Sequence, residues 1–301
     1  MKILICDKTE KEYIDQMRAA GLTVDVRDDI TPEELPNVLP AYDGMVVRSR
    51  TKVRQPLIDV CPNLKVIVRG GVGLDTIDHE YARSKGIAVM NTPQASSASV
   101  AELAIGYMFA LARSVYKATA SMKSEKWEKK AFEGDEIGGK TLGLIGVGNI
   151  GREVAKRASA LGMTVLAYDP YVTEAVEAQL VTLDELLSRA DYISLHLPKT
   201  KESANMIGAA EFAKMKNGVR IVNCARGGII DENALFEALS SGKVAGAALD
   251  VYMEEPPTDW KLLKLDNVIG SPHIGAATKE AQGRVGAEVA DKLIAFAKNG
   301  K

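Results

Sequence analysis

The sequence predicts an α/β protein of two doubly wound domains, each a parallel sheet with helices on both faces. Three observations carry this. Short β-branched runs alternate with helical patterns up to about residue 90. The alternation stops at a small, polar stretch, "NTPQASSASVAE" (91–102), and restarts at 141. Strands separated by helical segments need crossover connections, which make the sheet parallel and cover its faces. With 301 residues, 46% of them hydrophobic, the chain is long and apolar enough to fill two cores.

In the first series, strands are expected at 3–6, 23–27, 45–48, 66–69 and 87–90. Between the second and third, Thr31 followed by Pro32-Glu33-Glu34 reads as a helix start, with an N-cap, a proline at the first helical position and early acids. After the break, one long helix is expected to about Lys123, with Val100, Leu103, Ala104, Met108 and Leu111 on one side and Ser99 and Glu102 as a capping box. Such a helix is either an ordinary core helix or one that packs against a second subunit or domain. The second series has strands at 141–145, 164–168, 192–195, 220–222, 245–249 and 268–269, and ends in a helix over 279–298. No repeat of fixed period and no low-complexity tract interrupts it.

Composition removes several function classes. The 38 Lys and Arg nearly balance 40 Asp and Glu, so no basic excess points to nucleic acid or a membrane surface. No apolar run approaches the length of a membrane span. The opening "MKILICDKTE" returns to charge after four apolar positions, as a strand does and a secretory signal does not. Cys6, Cys61 and Cys224 form neither a disulfide framework nor a zinc spacing, which predicts a reducing cytoplasm and no structural metal.

Two glycine-rich turns compete for a dinucleotide. In "TLGLIGVGNIGREVA" (141–155), Gly146, Gly148 and Gly151 complete G-x-G-x-x-G between a strand and a helix. The first glycine makes the turn, the second admits the pyrophosphate, and the third lets helix and strand close up, with the helix N-terminus facing the phosphates. The next strand, "TVLAYD", ends on Asp169, placed to accept the adenosine ribose hydroxyls. Pro170 and Tyr171 follow, with no Arg or Lys to meet a 2′-phosphate, so NAD is expected rather than NADP. In "VIVRGGVGLDTID" (66–78), Gly71 and Gly73 match but Thr76 stands at the third position and no acid-tipped strand follows. That turn is open to two readings: an anion site for a small carboxylate, built from Arg69 and open backbone amides, or a structural strand-to-helix turn.

His79, His196 and His273 are the three histidines. His196 ("YISLHLPKT") and His273 ("IGSPHIGAAT") both follow strands, and each could be a satisfied structural histidine on location alone. "RIVNCARGGIIDENAL" puts Arg226 just past a strand, where parallel sheets bind ligands. "AALDVYMEEPP" puts Glu254 and Glu255 ahead of two prolines, which also suits a solvated acidic loop. Arg226, Glu255 and His273 together suit hydride transfer between an alcohol carbon and nicotinamide. A histidine exchanges the hydroxyl proton, a carboxylate beside it favours the charged imidazole, and an arginine fork clamps a substrate carboxylate.

"GVGNIG…YDP", "NCARGGIIDENAL", "AALDVYMEEPP" and "SPHIGAAT" stand in the order and spacing of the D-isomer-specific 2-hydroxyacid dehydrogenases, which the sequence resembles over nearly its whole length. The resemblance implies a catalytic Arg226, Glu255 and His273. It places NAD contacts at Val72, Asn149, Ile150, Asp169, His196, Leu197, Pro198, Cys224, Ala225, Arg226, Asp250, His273, Ile274, Gly275 and Ala276, beside the three loop glycines. Substrate contacts carry over to Arg48, Ser49, Arg69, Gly70 and Gly71. It also implies a Rossmann domain (95–275) inserted into a flavodoxin-like substrate domain (1–94), to which a last helix (276–301) returns. The two glycine turns would then face each other across a cleft, and the long helix would build a homodimer.

Through "ATASMKSEKWEKKAFEGDEIGGKTLG" and "VRSRT", the sequence is most similar to the branch acting on 3-phosphoglycerate, the first step of serine biosynthesis. Arg48, or Lys129 or Lys130 of "KWEKK", would meet the phosphate. A hydroxypyruvate or glyoxylate reductase is the near alternative. A binding protein that senses NAD, like the C-terminal-binding-protein corepressors, is the alternative of another class. The sequence departs from the family where N-T-P-x-G-N reads Asn91-Thr92-Pro93-Gln94-Ala95-Ser96, and where Leu197 replaces a polar residue of some relatives. Because the sequence ends at Lys301, feedback by serine through a C-terminal domain is not expected.

Overall fold

A computed structural model describes residues 1–299. The chain forms two compact units, one of Met1–Ser96 with the segment from Ala277 onward, the other of Ser97–Ala276. The last two residues of the third predicted segment, 300 and 301, lie outside the described residues.

The first unit holds five parallel strands: β1 (Lys2–Ile5), β2 (Thr23–Val26), β3 (Gly44–Val47), β4 (Val66–Arg69) and β5 (Ala88–Asn91). Their order, β2-β1-β3-β4-β5, is the flavodoxin-like one. Successive strand residues point to opposite faces, so an unbroken apolar run such as Val66-Ile67-Val68 needs cover on both. On one face Leu4, Met45 and Ile67 pack with Leu57 and Ile58 of α3 (Gln55–Asp59) and Ala82 of α4 (His79–Ser84). On the other, Ile3, Ile5, Val66 and Val68 pack with Met17 of α1 (Lys11–Ala19) and with Val285, Val289 and Leu293 of the C-terminal helix (Lys279–Asn299). Arg284 Nε ties that helix to the Ala95 carbonyl at 2.8 Å. Thr31 caps the turn that follows it, in a reciprocal pair: Glu34 N donates to Thr31 Oγ1 (3.3 Å) and Thr31 N to Glu34 Oε2 (3.1 Å). Regular helix begins only after the Pro-Glu-Glu turn, as α2 (Leu35–Val38).

The second unit holds seven parallel strands: β6 (Thr141–Ile145), β7 (Thr164–Tyr168), β8 (Gln179–Leu180), β9 (Tyr192–Leu195), β10 (Val219–Asn223), β11 (Val244–Leu249) and β12 (Val268–Gly270). The order β8-β7-β6-β9-β10-β11-β12 is the Rossmann order with one strand added, and it reverses between β6 and β9. The two-residue edge strand β8 carries no sequence pattern and was not expected. Leu186 and Leu187 of α8 (Leu183–Arg189), Phe212 of α9 (Ala209–Lys214) and Leu235 of α10 (Glu232–Ser240) cover one face. α5 (Ser97–Arg113) and α7 (Asn149–Ala160) cover the other, with Ala104, Met108 and Val154 wholly buried.

Two expectations for the long helix fail. It breaks at Ser114, whose φ of 47° is left-handed, into α5 and α6 (Val115–Lys123), bent by 65°. "ARSVYK" holds neither Pro nor Gly, so nothing in the pattern marked the break. The capping box is absent too: the helix already begins at Ser97, Ser99 lies buried in its first turn, and Glu102 pairs with Arg157 at 3.1 Å. Among the described residues no single helix is long and apolar enough to cross a membrane.

Candidate active site

In the second unit the sequence-predicted residues gather at one edge, the carboxyl ends of the strands. Gly146 follows β6, Asp169 β7, His196 β9, Cys224 to Arg226 β10, Asp250 β11 and Ser271 to Ala276 β12. Parallel sheets bind ligands at this edge, beside the point where the strand order reverses.

The glycines of the first loop differ in what requires them. A Cβ on Gly146 would lie 2.5 Å from the His196 carbonyl oxygen, and the residue sits at φ 95°. A Cβ on Gly151 would lie 2.3 Å from the Gly146 oxygen, so this glycine lets helix and strand close. At Gly148 the backbone is ordinary (φ −68°), and a Cβ would meet no protein atom within 4 Å. The fold does not need that glycine, whereas a pyrophosphate approaching the backbone does. Gly148 is also the N-cap of α7 and supplies no side chain to its first amides, which suits an anion. Asp169 accepts from Val147 N and from Tyr171 N, both at 2.9 Å, which holds its carboxylate against the loop with lone pairs to spare for a ribose. These residues fit a dinucleotide.

The two strand-end histidines are separated by burial. His196 is buried with its Nε2 2.7 Å from Ser194 Oγ, and burial pushes its imidazole down to about 3, so it is neutral at physiological pH. Leu197 beside it is half-buried and Pro198 exposed. Cys224 and Ala225 are buried, and burial raises the Cys224 thiol, which excludes it as a nucleophile.

His273 is exposed, and its Nδ1 lies 2.7 Å from Glu255 Oε2. Burial pushes the Glu255 carboxyl up, but the hydrogen bond and charge of His273, the Tyr252 amide and the charge of Arg226 outweigh it, so the group lies below the usual carboxylate range. Glu255 is therefore ionised at neutral pH; its pairing is fully present above the ordinary carboxylate value and is lost as pH falls through the depressed one. An ionised carboxylate only accepts, so Nδ1 carries the proton toward Glu255 and Nε2 is left for chemistry.

Arg226 is brought to this pair by its backbone. Asn223, 3% exposed at the end of β10, accepts from Ala225 N (3.0 Å) and donates to the Arg226 carbonyl (3.1 Å), bracing the turn that carries the guanidinium. Gly227 then passes directly over the 252–253 peptide: a Cβ there would lie 1.7 Å from Tyr252 O. The glycine pair therefore divides two tasks, Gly227 for close approach and Gly228 for a φ of 76°. Glu254 does not join the pair; its Oε2 accepts from Thr258 Oγ1 at 2.7 Å.

Asn223 and Asp250 were not legible as braces. Asp250, expected only as an NAD contact, is 1% exposed and accepts from Ile274 N and Gly275 N, each at 2.8 Å, and from Ser271 Oγ. It thus holds the loop that carries His273. His273 itself has a φ of 53°, a left-handed backbone that costs a non-glycine residue about 1–3 kcal/mol and persists only where its surroundings enforce it. Ile274 is exposed and Ala276 half-buried beyond it.

In the first unit, Arg48 and Ser49 follow β3, Arg69 ends β4, and Gly70, Gly71 and Val72 follow it. One expectation needs correction: the amides of Gly70 and Gly71 are not open. They donate to Val47 O (2.9 Å) and Arg69 O (3.0 Å), so amides for an anion begin at Val72. Arg69 is buried, donating to the Gly73 carbonyl and, at 3.5 Å, to Ser49 Oγ. These bonds tie Arg69 to its own turn and to the β3 loop. Arg48 is half-buried; burial lowers its guanidinium, opposed by the charges of Glu10 and Asp7. Lys129 and Lys130 are exposed in a short 3₁₀ turn of the second unit (Lys129–Phe132).

Comparison with known proteins identifies the family. The model of the D-isomer-specific 2-hydroxyacid dehydrogenase NAD-binding domain matches residues 105–275. A D-3-phosphoglycerate dehydrogenase of Archaeoglobus fulgidus is 50% identical over 99% of this chain and 58% of its own length. A hydroxypyruvate reductase of Thermotoga maritima is 54% identical over 89% of each chain. The crystal structure of a glyoxylate reductase from Paecilomyes thermophila superposes with a TM-score of 0.92 at 33% identity, over 100% of this chain and 96% of that one. The chain belongs to the D-isomer-specific 2-hydroxyacid dehydrogenases, and the matched residues are those of the family's NAD-binding domain. It spans little more than half the length of the phosphoglycerate dehydrogenases it matches.

Proposed function

We propose that this chain interconverts a D-2-hydroxy acid and its 2-keto acid with Arg226, Glu255 and His273 as catalytic residues, and that the pair is 3-phosphoglycerate and 3-phosphohydroxypyruvate. The observation that carries the reading is the 2.7 Å His273–Glu255 pair on the same strand-end edge as the dinucleotide loop. NAD, when bound, accepts or supplies the hydride; Gly146, Gly148, Asn149, Ile150, Gly151 and Asp169 would hold its adenosine and pyrophosphate half, with His196, Leu197 and Pro198 on its adenine side, and Val72 would touch its nicotinamide end. His273 Nε2 takes the hydroxyl proton during oxidation and returns it during reduction, and Glu255 stabilises the imidazolium between. Arg226 clamps the carboxylate and polarises the carbonyl. In the first unit Arg69 and the amides from Val72 bind the substrate, and Arg48, Lys129 or Lys130 meets its phosphate.

One observation favours a second substrate. The hydroxypyruvate reductase relative is of comparable length and slightly more similar. The two substrates differ by one phosphoryl group, so a panel of 2-keto acids with NADH separates them. Phosphohydroxypyruvate is expected to give a kcat/KM at least about tenfold above hydroxypyruvate, glyoxylate and pyruvate, the size of one charge-assisted contact. Arg48→Ala should raise its KM by a similar factor and leave that of hydroxypyruvate unchanged. If phosphohydroxypyruvate is no better than hydroxypyruvate, the reductase reading replaces this one.

Arg69→Ala is expected to raise the KM for the keto acid by about 10- to 100-fold, the range of a hydrogen bond to a charged group. The Kd for NADH, followed by fluorescence, should move little. An equal loss of both would return this turn to the cofactor.

The active form is proposed to be a cytoplasmic homodimer. Phe109, Val115 and Met122 are exposed along α5 and α6, and the three described cysteines are unpaired and buried. Sedimentation should give twice the chain mass, and Val115→Asp with Met122→Glu should give a monomer. A wild-type monomer at micromolar concentration rules the dimer out.

A further inference from the structure

The loop that carries His273 is held from both sides of the histidine. Asp250 takes Ser271 Oγ on one side and the amides of Ile274 and Gly275 on the other. A Cβ on Gly275 would lie only 3.0 Å from Asp250 Oδ2, so the closeness of that clamp depends on the glycine. Ser271 is in turn bonded to a group outside the strand-end loops, the hydroxyl of Tyr107 on α5. Tyr107 is 7% exposed, and burial pushes its hydroxyl up to about 12, so it keeps its proton. The chain has one direction: Ser271 Oγ donates its proton to Asp250 Oδ1, so Tyr107 donates to Ser271. Tyr252, whose amide binds Glu255, adds its own hydroxyl to the Ser271 carbonyl at 3.1 Å.

We propose that Tyr107 and Ser271 are positioning residues: with Asp250 they form a hydrogen-bonded brace that holds the left-handed backbone of His273 and so keeps its imidazole on Glu255. The inference rests on the reading of His273 as the proton-transferring residue. It extends that site to a helix that none of the predicted site residues occupies. Neither hydroxyl is among the groups that would touch substrate or NAD, so their main effect should pass through the backbone of His273.

The test compares Tyr107→Phe and Ser271→Ala in the wild-type and His273→Ala backgrounds. Each should lower kcat by roughly 10- to 100-fold, as a misplacement of about 1 Å at a reacting group does. KM and the Kd for NADH should stay within about twofold, and the pair together should cost no more than the worse single variant. In the His273→Ala background neither should lower the residual rate further. A second readout needs no turnover: the downfield proton resonance of the His273–Glu255 hydrogen bond, assigned by its absence in His273→Ala, should broaden or shift in both variants. An unchanged resonance with unchanged kcat overturns the proposal. So does a loss that multiplies in the His273→Ala background, or one that tracks NADH affinity or melting temperature. If the wild type reduces no 2-keto acid, the proposed reaction fails, and the resonance alone decides whether the brace stands.

Discussion

His273→Ala is expected to lower kcat by about 10²–10⁴-fold, the usual contribution of a positioned general acid–base group, while the Kd for NADH changes little. The imidazole is exposed and touches its own protein through Nδ1 on Glu255, so its removal leaves the dinucleotide loop on β6 and α7 intact. Glu255→Gln should cost less than His273→Ala. The amide can still accept from Nδ1 but no longer carries the charge that favours the imidazolium. Steady-state kinetics with NADH and the best keto acid of the panel, beside fluorescence titration of NADH, makes the comparison. Retained turnover in His273→Ala removes the histidine from its role. His196 offers no substitute, because burial holds it neutral.

Gly227→Ala is expected to abolish most activity and to lower the melting temperature as well. The added Cβ would sit 1.7 Å from the Tyr252 oxygen and 1.9 Å from its carbonyl carbon, and a backbone cannot rotate away as a side chain can. The 223–228 and 249–255 loops must separate, at a cost of roughly 1–3 kcal/mol or more by analogy with overpacked cores. That separation draws Arg226 away from Glu255 and His273, so kcat/KM should fall by on the order of 100-fold. Gly148→Ala is the matched control. Its Cβ meets no protein atom, so it should melt like the wild type and lose NADH affinity instead. If Gly227→Ala keeps full activity, the close approach of these loops has no part in arranging the site.

The same two glycines show what could be read in advance. Gly146, Gly148 and Gly151 were legible because G-x-G-x-x-G is local: strand, turn and helix follow one another, and the spacing announces all three even though the atom Gly146 must avoid belongs to His196. Gly227 stands in an equally visible "ARGG", yet the atom it must avoid belongs to Tyr252, twenty-five positions on. The strands were legible to within a residue or two, since buried parallel strands are short apolar runs between turn residues. β8 was not, being two residues at an edge, and neither was the bend at Ser114, a left-handed residue with no glycine to announce it.

The sequence by itself determined the α/β class, the two series of strands and the loop for the dinucleotide, because these follow from hydrophobic period and local turn chemistry. It also brought forward Arg226, Glu255 and His273 as residue types suited to one reaction. Only the tertiary structure decided that His273 rather than His196 is exposed beside a carboxylate, that Gly70 and Gly71 have spent their amides, that Asn223 is bonded within the turn of Arg226, and that Tyr107, Ser271 and Asp250 are bonded in series beside His273. Burial, hydrogen-bond pairing and the approach of two backbones depend on residues distant in the chain, and the parallel sheet makes them neighbours by aligning the ends of its strands.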